Sequence, residues 1–124
     1  MKKDIGNKED IIVLVNTFYD KVRKDDIIGT IFNEVARVNW EHHLPVMYKF
    51  WENVLFQTGS YAGNPMATHI QLHHIFPLTQ HHFARWKKLF LETIDEHFEG
   101  PNAELARQRA LSIATLMEIK ISNL

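Results

Sequence analysis

A chain of 124 residues can bury well over half of the surface its unfolded form exposes, so residues 1–124 are expected to fold as one domain without staples. Apolar residues at 45% and charged residues at 23% exclude a long disordered tract, and a net charge of -1 with scattered Lys and Arg gives no field that gathers phosphates, so nucleic acid is not an expected partner. The absence of cysteine removes disulfides, thiolate zinc sites, iron-sulfur clusters and cysteine nucleophiles at once, leaving His and carboxylates for any metal chemistry.

The opening MKKDIGNKEDII lacks the apolar run of a signal peptide, and no stretch reaches the ~20 apolar residues of a membrane helix. A cytoplasmic chain with no membrane partner is the expectation. Asn7 is a candidate N-cap with Asp10 in the first turn, after which Ile11, Val15, Phe18 and Val22 recur at helical spacing, widened by Leu14 and Tyr19. This first helix runs to about Lys24, where Asp25 and Asp26 interrupt it. The segment TIFNEV after Gly29 makes one or two turns that carry Phe32 inward.

Asn39 is the candidate cap of the next helix, with Pro45 marking its first turn and His43, Met47, Phe50, Trp51, Val54 and Leu55 on one face. QTGSYAGNP then reads as turn formers, ending in an Asn64 cap and Pro65 at the start of a short helix from Met66 to about Leu72. HHIFPL is expected to be irregular, because Pro77 biases its predecessor away from helix. Thr79 caps a long helix carrying Phe83, Trp86, Phe90, Ile94 and His97 on one face, and Gly100 and Pro101 end it. Asn102 is the candidate cap of the last helix, with Leu105, Arg109, Ile113, Met117 and Ile121 along one stripe and Ala106, Ala110 and Ala114 leaving room for a close neighbour. No segment reads as a strand, no repeat is present, and the helices are too unequal for a regular four-helix bundle. The fold class is all-α.

Eight His and eight Phe, with three Trp and three Tyr, need a reason in so short a chain. His69 and His73 stand four apart, as a zinc or di-iron pair would, but such sites need three or four converging ligands, and no Glu-x-x-His repeat accompanies them. His42, His81, His82 and His97 read as ordinary imidazoles, solvated or paired with a nearby carbonyl. His43 differs because it leads an apolar face, and His69 because it follows a capped helix start with Met66, Ile70 and Leu72 around it. One histidine on each of two segments with aromatics between suits a flat cofactor. Most of the phenylalanines are core, whereas Tyr19 and Trp86 each bring a donor that needs a partner once buried. A cofactor-free helical interaction module remains the competing class, with aromatic stripes as plain core.

With these blocks in place, FYDKVRKD with Tyr19, Phe32, WEHHLPVMYKFW, GNPMATHIQLH and HFARWKKLF with Trp86, the chain resembles the truncated haemoglobins, specifically their third group, from about Ile11 to Met117. The resemblance implies a shortened globin fold, two helices over two, around haem b (iron protoporphyrin IX). By the same resemblance His69 matches the proximal iron ligand and His43 the residue over the distal face. Tyr19 and Trp86 match ligand-contacting distal residues, Phe32 the phenylalanine packed on the porphyrin, and Met47 and Trp51 further pocket positions. His73 and His74 stand near enough in sequence to be alternative ligands. His43 is left as donor, gate or sixth ligand. Lys49, Tyr48, Tyr61, His73, His74 and Arg85 are the candidate propionate partners.

Such a site implies binding of oxygen, nitric oxide and carbon monoxide at a five-coordinate iron. Two donors aimed at a partly charged ligand, each worth roughly 1.5–3 kcal/mol, slow its release by about 10² to 10⁴. Gas chemistry such as nitric oxide dioxygenation or peroxide reduction, or sensing, is therefore expected ahead of bulk oxygen transport. Turnover needs a separate reductase, since nothing here resembles a flavin or nicotinamide domain. A monomer is expected.

Overall fold

The computed structural model describes residues 2–59, 61 and 63–124. Five α-helices follow in order: α1 (Lys8–Lys24), α2 (Trp40–Phe56), α3 (Pro65–Ile75), α4 (Gln80–His97) and α5 (Pro101–Ser122), with a single π-helical turn, Ile31–Val35, between α1 and α2. Helix α1 packs on α2 and α4, α4 on α5, and both α2 and α3 reach α5, so the α1–α2 pair lies over the α4–α5 pair. The all-α class holds: among the described residues there is no strand, only an isolated parallel bridge between Lys3 and Phe98. None of the helices is long and apolar enough to cross a membrane.

Helix α1 starts as its sequence dictates. Asn7 Oδ1 accepts the Asp10 amide at 3.0 Å, and Asp10 in turn accepts the Gly6 amide at 2.9 Å, so two orphan donors are satisfied reciprocally. Its Ile11, Leu14, Val15, Phe18, Tyr19 and Val22 are all buried. The helix stops at Asp25, whose carboxylate accepts the amides of Ile27 and Ile28, each at 3.0 Å, and turns the chain into the π-helical segment.

Helix α2 begins earlier than Pro45 suggested. Asn39 occupies the cap position but its side chain makes no capping bond, and Pro45 sits inside the helix. The proline is tolerated because the carbonyl it orphans belongs to Glu41, which is exposed and so available to water. Gln57, with φ 56°, ends the helix, and its amide closes on the Asn53 carbonyl at 2.9 Å. Of the turn formers that follow, Ser60 and Ala62 lie outside the described residues. Asn64 Oδ1 caps α3 through the Ala67 amide at 3.1 Å, with Pro65 as the first helical residue. Helix α3 extends to Ile75, so His73 and His74 are helical and only the residues around Pro77 are irregular. The Leu78 amide donates to His73 Nδ1 at 2.9 Å, a closure of the helix end that the sequence did not advertise.

The expected stripe on α4 is mostly inward: Phe83, Phe90 and Ile94 are buried and Trp86 is half-buried, while His97 is exposed. Helix α5 corrects two expectations. Asn102 is not its cap; Asp4, from the far end of the chain, accepts the amides of Asn102 at 3.0 Å and Ala103 at 2.8 Å, and Asn102 Nδ2 donates to the Ile5 carbonyl at 2.7 Å. Gly100 makes this seat possible, because its φ of 144° disfavours other residues and a Cβ there would lie 2.6 Å from Asp4 Cγ. Arg109 is exposed, and the buried stripe is Ala103, Ala106, Ala110, Ala114, Met117 and Ile121, so the small residues form the contact face itself.

A buried carboxylate ties α1's end to α4. The Asp25 carboxylate, 2% exposed, receives Arg85 Nη2 at 2.6 Å and Nε at 2.7 Å. Burial alone would raise the Asp25 pKa; the Arg85 hydrogen bond, the two amides and the guanidinium charge outweigh it and hold the carboxyl below its usual range.

Two outcomes follow. Asp4→Ala lowers unfolding stability by about 0.5–2 kcal/mol, the range for lost helix caps, read from urea melts. Because the folded pKa of Asp25 is depressed, its contribution is full above the unfolded carboxyl pKa near ~4 and is lost as pH falls through the folded value. The stability gap between wild type and Asp25→Asn is therefore wide at pH 7 and narrows below about pH 4 in urea melts run as a pH series.

Candidate functional site

Between the two helix pairs lies a cleft with about 1070 Å³ of empty space, part of it continuous with solvent. All seven residues singled out from the sequence line it: Tyr19 from α1, Phe32 from the π-helical turn, His43, Met47 and Trp51 from α2, His69 from α3 and Trp86 from α4. The floor is completed by Ile113, Ala114 and Met117 of α5. The cleft is apolar except where Tyr19, His43, His69, His82 and Trp86 contribute.

His69 stands one turn into α3, and its Nδ1 lies 2.6 Å from the Pro65 carbonyl oxygen. A carbonyl only accepts, so Nδ1 carries the hydrogen and Nε2 keeps its lone pair. This is how proteins orient imidazoles that ligate metals, since the hydrogen bond on one nitrogen fixes the tautomer and raises the basicity of the other.

His43 Nε2 is buried with no hydrogen-bond partner. Burial pushes its imidazole pKa down, and His69 and His42 push it further. Tyr19 is 4% exposed, and burial raises its hydroxyl well above the usual phenol range, so it is a proton donor and never a phenolate at neutral pH. The Tyr19 and His43 rings meet edge to face at 5.4 Å. Trp40, which the sequence reading did not single out, supports this corner: it packs on Tyr19 at 5.3 Å, on His43 at 5.7 Å and stacks on Phe32 at 6.1 Å, with the Arg23 guanidinium 4.9 Å above it.

Trp86 is held by stacking. Its ring lies 5.4 Å from Phe90 and 4° from parallel, Phe90 stacks on Trp51 at 4.8 Å, and Phe18 meets both Trp86 and Phe90 edge-on.

The donor set fits an iron porphyrin. It offers one imidazole with its lone pair free and its other nitrogen anchored, an orphaned imidazole nitrogen, and broad apolar walls. Among the described residues no three His or carboxylate side chains converge on one point.

One expectation needs correction. His82, read as solvated or paired with a nearby carbonyl, is half-buried and lines the cleft. None of the six candidate propionate partners lines it, and several are engaged elsewhere: Tyr48 donates to Asn16, Arg85 to Asp25, and His73 accepts from Leu78. The helical extension to Ile75 could have been found from the good helix spacing of Leu72 and Ile75; the engagement of Arg85 could not, because its partner is 60 residues away.

The sequence pattern of the bacterial-like globins matches residues 3–123. A group 3 truncated hemoglobin of Campylobacter jejuni is 35% identical over 118 residues, spanning 93% of this chain and 91% of that protein. The crystal structure of a group III truncated hemoglobin from Campylobacter jejuni superposes with a TM-score of 0.85 at 32% identity, covering 98% of this chain and 95% of that one.

Proposed function

The chain belongs to the bacterial-like globins, in the third truncated group, and on that premise we propose that it holds haem b through His69 Nε2 and presents Tyr19, His43 and Trp86 to a diatomic gas on the opposite side. Haem and gas binding follow from the family; the residue roles, the haem type and the use made of the gas are our reading. The observation that carries it is the pairing of His69, whose Nδ1 is spent on the Pro65 carbonyl, with a facing His43 whose Nε2 is buried without a protein partner.

When bound, haem supplies an iron with one open face for oxygen, nitric oxide or carbon monoxide. The protein's own residues do the rest. The Pro65 carbonyl holds the His69 ring in one orientation and one tautomer. Tyr19 is a neutral donor because burial keeps its proton on, and its packing against Phe18, Trp40 and His43 restricts the ring. The indole of Trp86 is locked by Phe90 and Phe18, so its N–H needs little reordering to meet a ligand. Phe32 and Met47 line the cleft as apolar walls, and Trp51 braces Phe90, excluding water around these donors and so strengthening them.

Preorganised donors among apolar walls favour retention of a polar ligand over its delivery. Reaction or sensing, with a separate reductase supplying electrons for any turnover, is accordingly the role we infer, with residues 1–124 acting as one domain. Bulk oxygen transport ranks below it.

Purified wild-type protein supplied with haemin is expected to show an intense Soret band and, after chemical reduction with dithionite, a histidine-ligated ferrous spectrum. His69→Ala is expected to bind haem weakly or with altered ligation; an unaltered spectrum in that variant refutes the ligand assignment. Tyr19→Phe and Trp86→Leu are each expected to speed oxygen dissociation by roughly tenfold or more, measured by stopped flow. Unchanged off-rates in both refute the distal roles.

A further inference from the structure

One imidazole in the cleft has no task in that scheme, and the bonds that orient it say what it can hold. His82 is the third residue of α4, and its Nδ1 receives the Thr79 amide at 3.0 Å, with the Thr79 hydroxyl at 3.2 Å. An amide only donates, so Nδ1 keeps its lone pair. Burial, with His81 adjacent, pushes the ring's pKa down, so at pH 7 it is mainly neutral and carries its single proton on Nε2. His82 is thus the mirror of His69: in one the backbone takes the Nδ1 proton and leaves an acceptor at Nε2, in the other the backbone takes the Nδ1 lone pair and leaves a donor. A lone pair suits a metal; an N–H suits an anion.

We propose that His82 is the carboxylate-binding residue of this cleft, its Nε2–H donating to a propionate of the porphyrin. The proposal rests on the haem reading above. No Lys or Arg side chain lines the cleft among the described residues, so a carboxylate entering it meets neutral donors. Of these, Tyr19 and His43 Nε2 are buried, and Trp86 is fixed within the aromatic stack. A carboxylate keeps part of its hydration only where solvent still reaches, and His82, half-buried and outside the Trp51–Phe90–Trp86 stack, is a donor that meets this condition. Phe76, packed on the ring at 5.6 Å, and the Thr79 amide hold it in position.

The hydrogen bond from Thr79 also gives a clean substitution, because Glu or Gln at this position of a Thr-capped helix accepts the same amide. His82→Glu keeps the cap, removes the donor and sets a negative charge against the propionate. His82→Gln keeps the cap and retains an amide N–H. The measurement is transfer of haemin from each holoprotein to an excess of a haem-scavenging apoglobin, run with haemin and with haemin dimethyl ester.

His82→Glu is expected to lose haemin roughly tenfold faster than wild type, with His82→Gln within about threefold and the Soret band of both variants unmoved. With the ester, the three proteins are expected to lose the cofactor at similar rates. Equal haemin loss from wild type and His82→Glu overturns the proposal and leaves the haem reading intact. A loss in His82→Glu that persists with the ester also overturns it, because the residue then acts only through the fold. A wild-type protein that takes up no haemin overturns both.

Discussion

The ladder of rings from Trp51 through Phe90 to Trp86, crossed edge-on by Phe18, is the constraint on which the rest of the molecule depends. It joins α2, α4 and α1 through flat side chains with few torsions, so it fixes the spacing of three helices at small entropic cost. Aliphatic side chains in the same positions could slide and close over the neighbouring hollow. Stacked rings resist that, and the cleft is the space they decline to fill. The same rings end at the cleft wall, so the element that sets helix separation also positions Trp86.

Around that ladder the helices are anchored by polar contacts that act across long stretches of sequence. Asp4 secures the start of α5, and Asp25 secures Arg85 one residue before Trp86. The alanines of α5 complete the arrangement from below, since side chains of that size let α5 approach closely while Ile113, Ala114 and Met117 reach the cleft.

Much of this was legible in the sequence. Periodicity located every α-helix, because each buries one face, and local caps such as Asn7, Asn64 and Thr79 are written within four residues of the helix they start. The seven cleft residues were reached partly from their positions on apolar faces and chiefly from family resemblance, which supplies what periodicity cannot: that two histidines on separate helices meet. What escaped reading was non-local or context-bound. The true partner of the α5 start is Asp4, nearly a hundred residues upstream, so Asn102 looked like the cap by proximity alone. Pro45 looked like a helix start because the cost of an interior proline depends on whether water reaches the orphaned carbonyl, and exposure of Glu41 is a property of the fold. Trp40 was overlooked since nothing in its neighbours foretells that Tyr19, Phe32 and His43 converge on it.

The cleft wall departs from ordinary core design in a way that bears on its use. A buried polar atom without a partner costs roughly 1–3 kcal/mol, and folded chains of this size have only about 5–15 kcal/mol to spend. Packing alone would favour Phe at Tyr19 and Leu at His43, since the neighbours of both are rings and aliphatic chains. A wall that leaves His43 Nε2 buried and unpaired is therefore less stable than one the same helices could support. Such a deficit is recovered when something polar occupies the cleft and accepts what these groups offer. Stability and ligand retention are then the same free energy viewed from two states, so a substitution that removes the orphaned donor should strengthen the empty protein while weakening its hold on the gas.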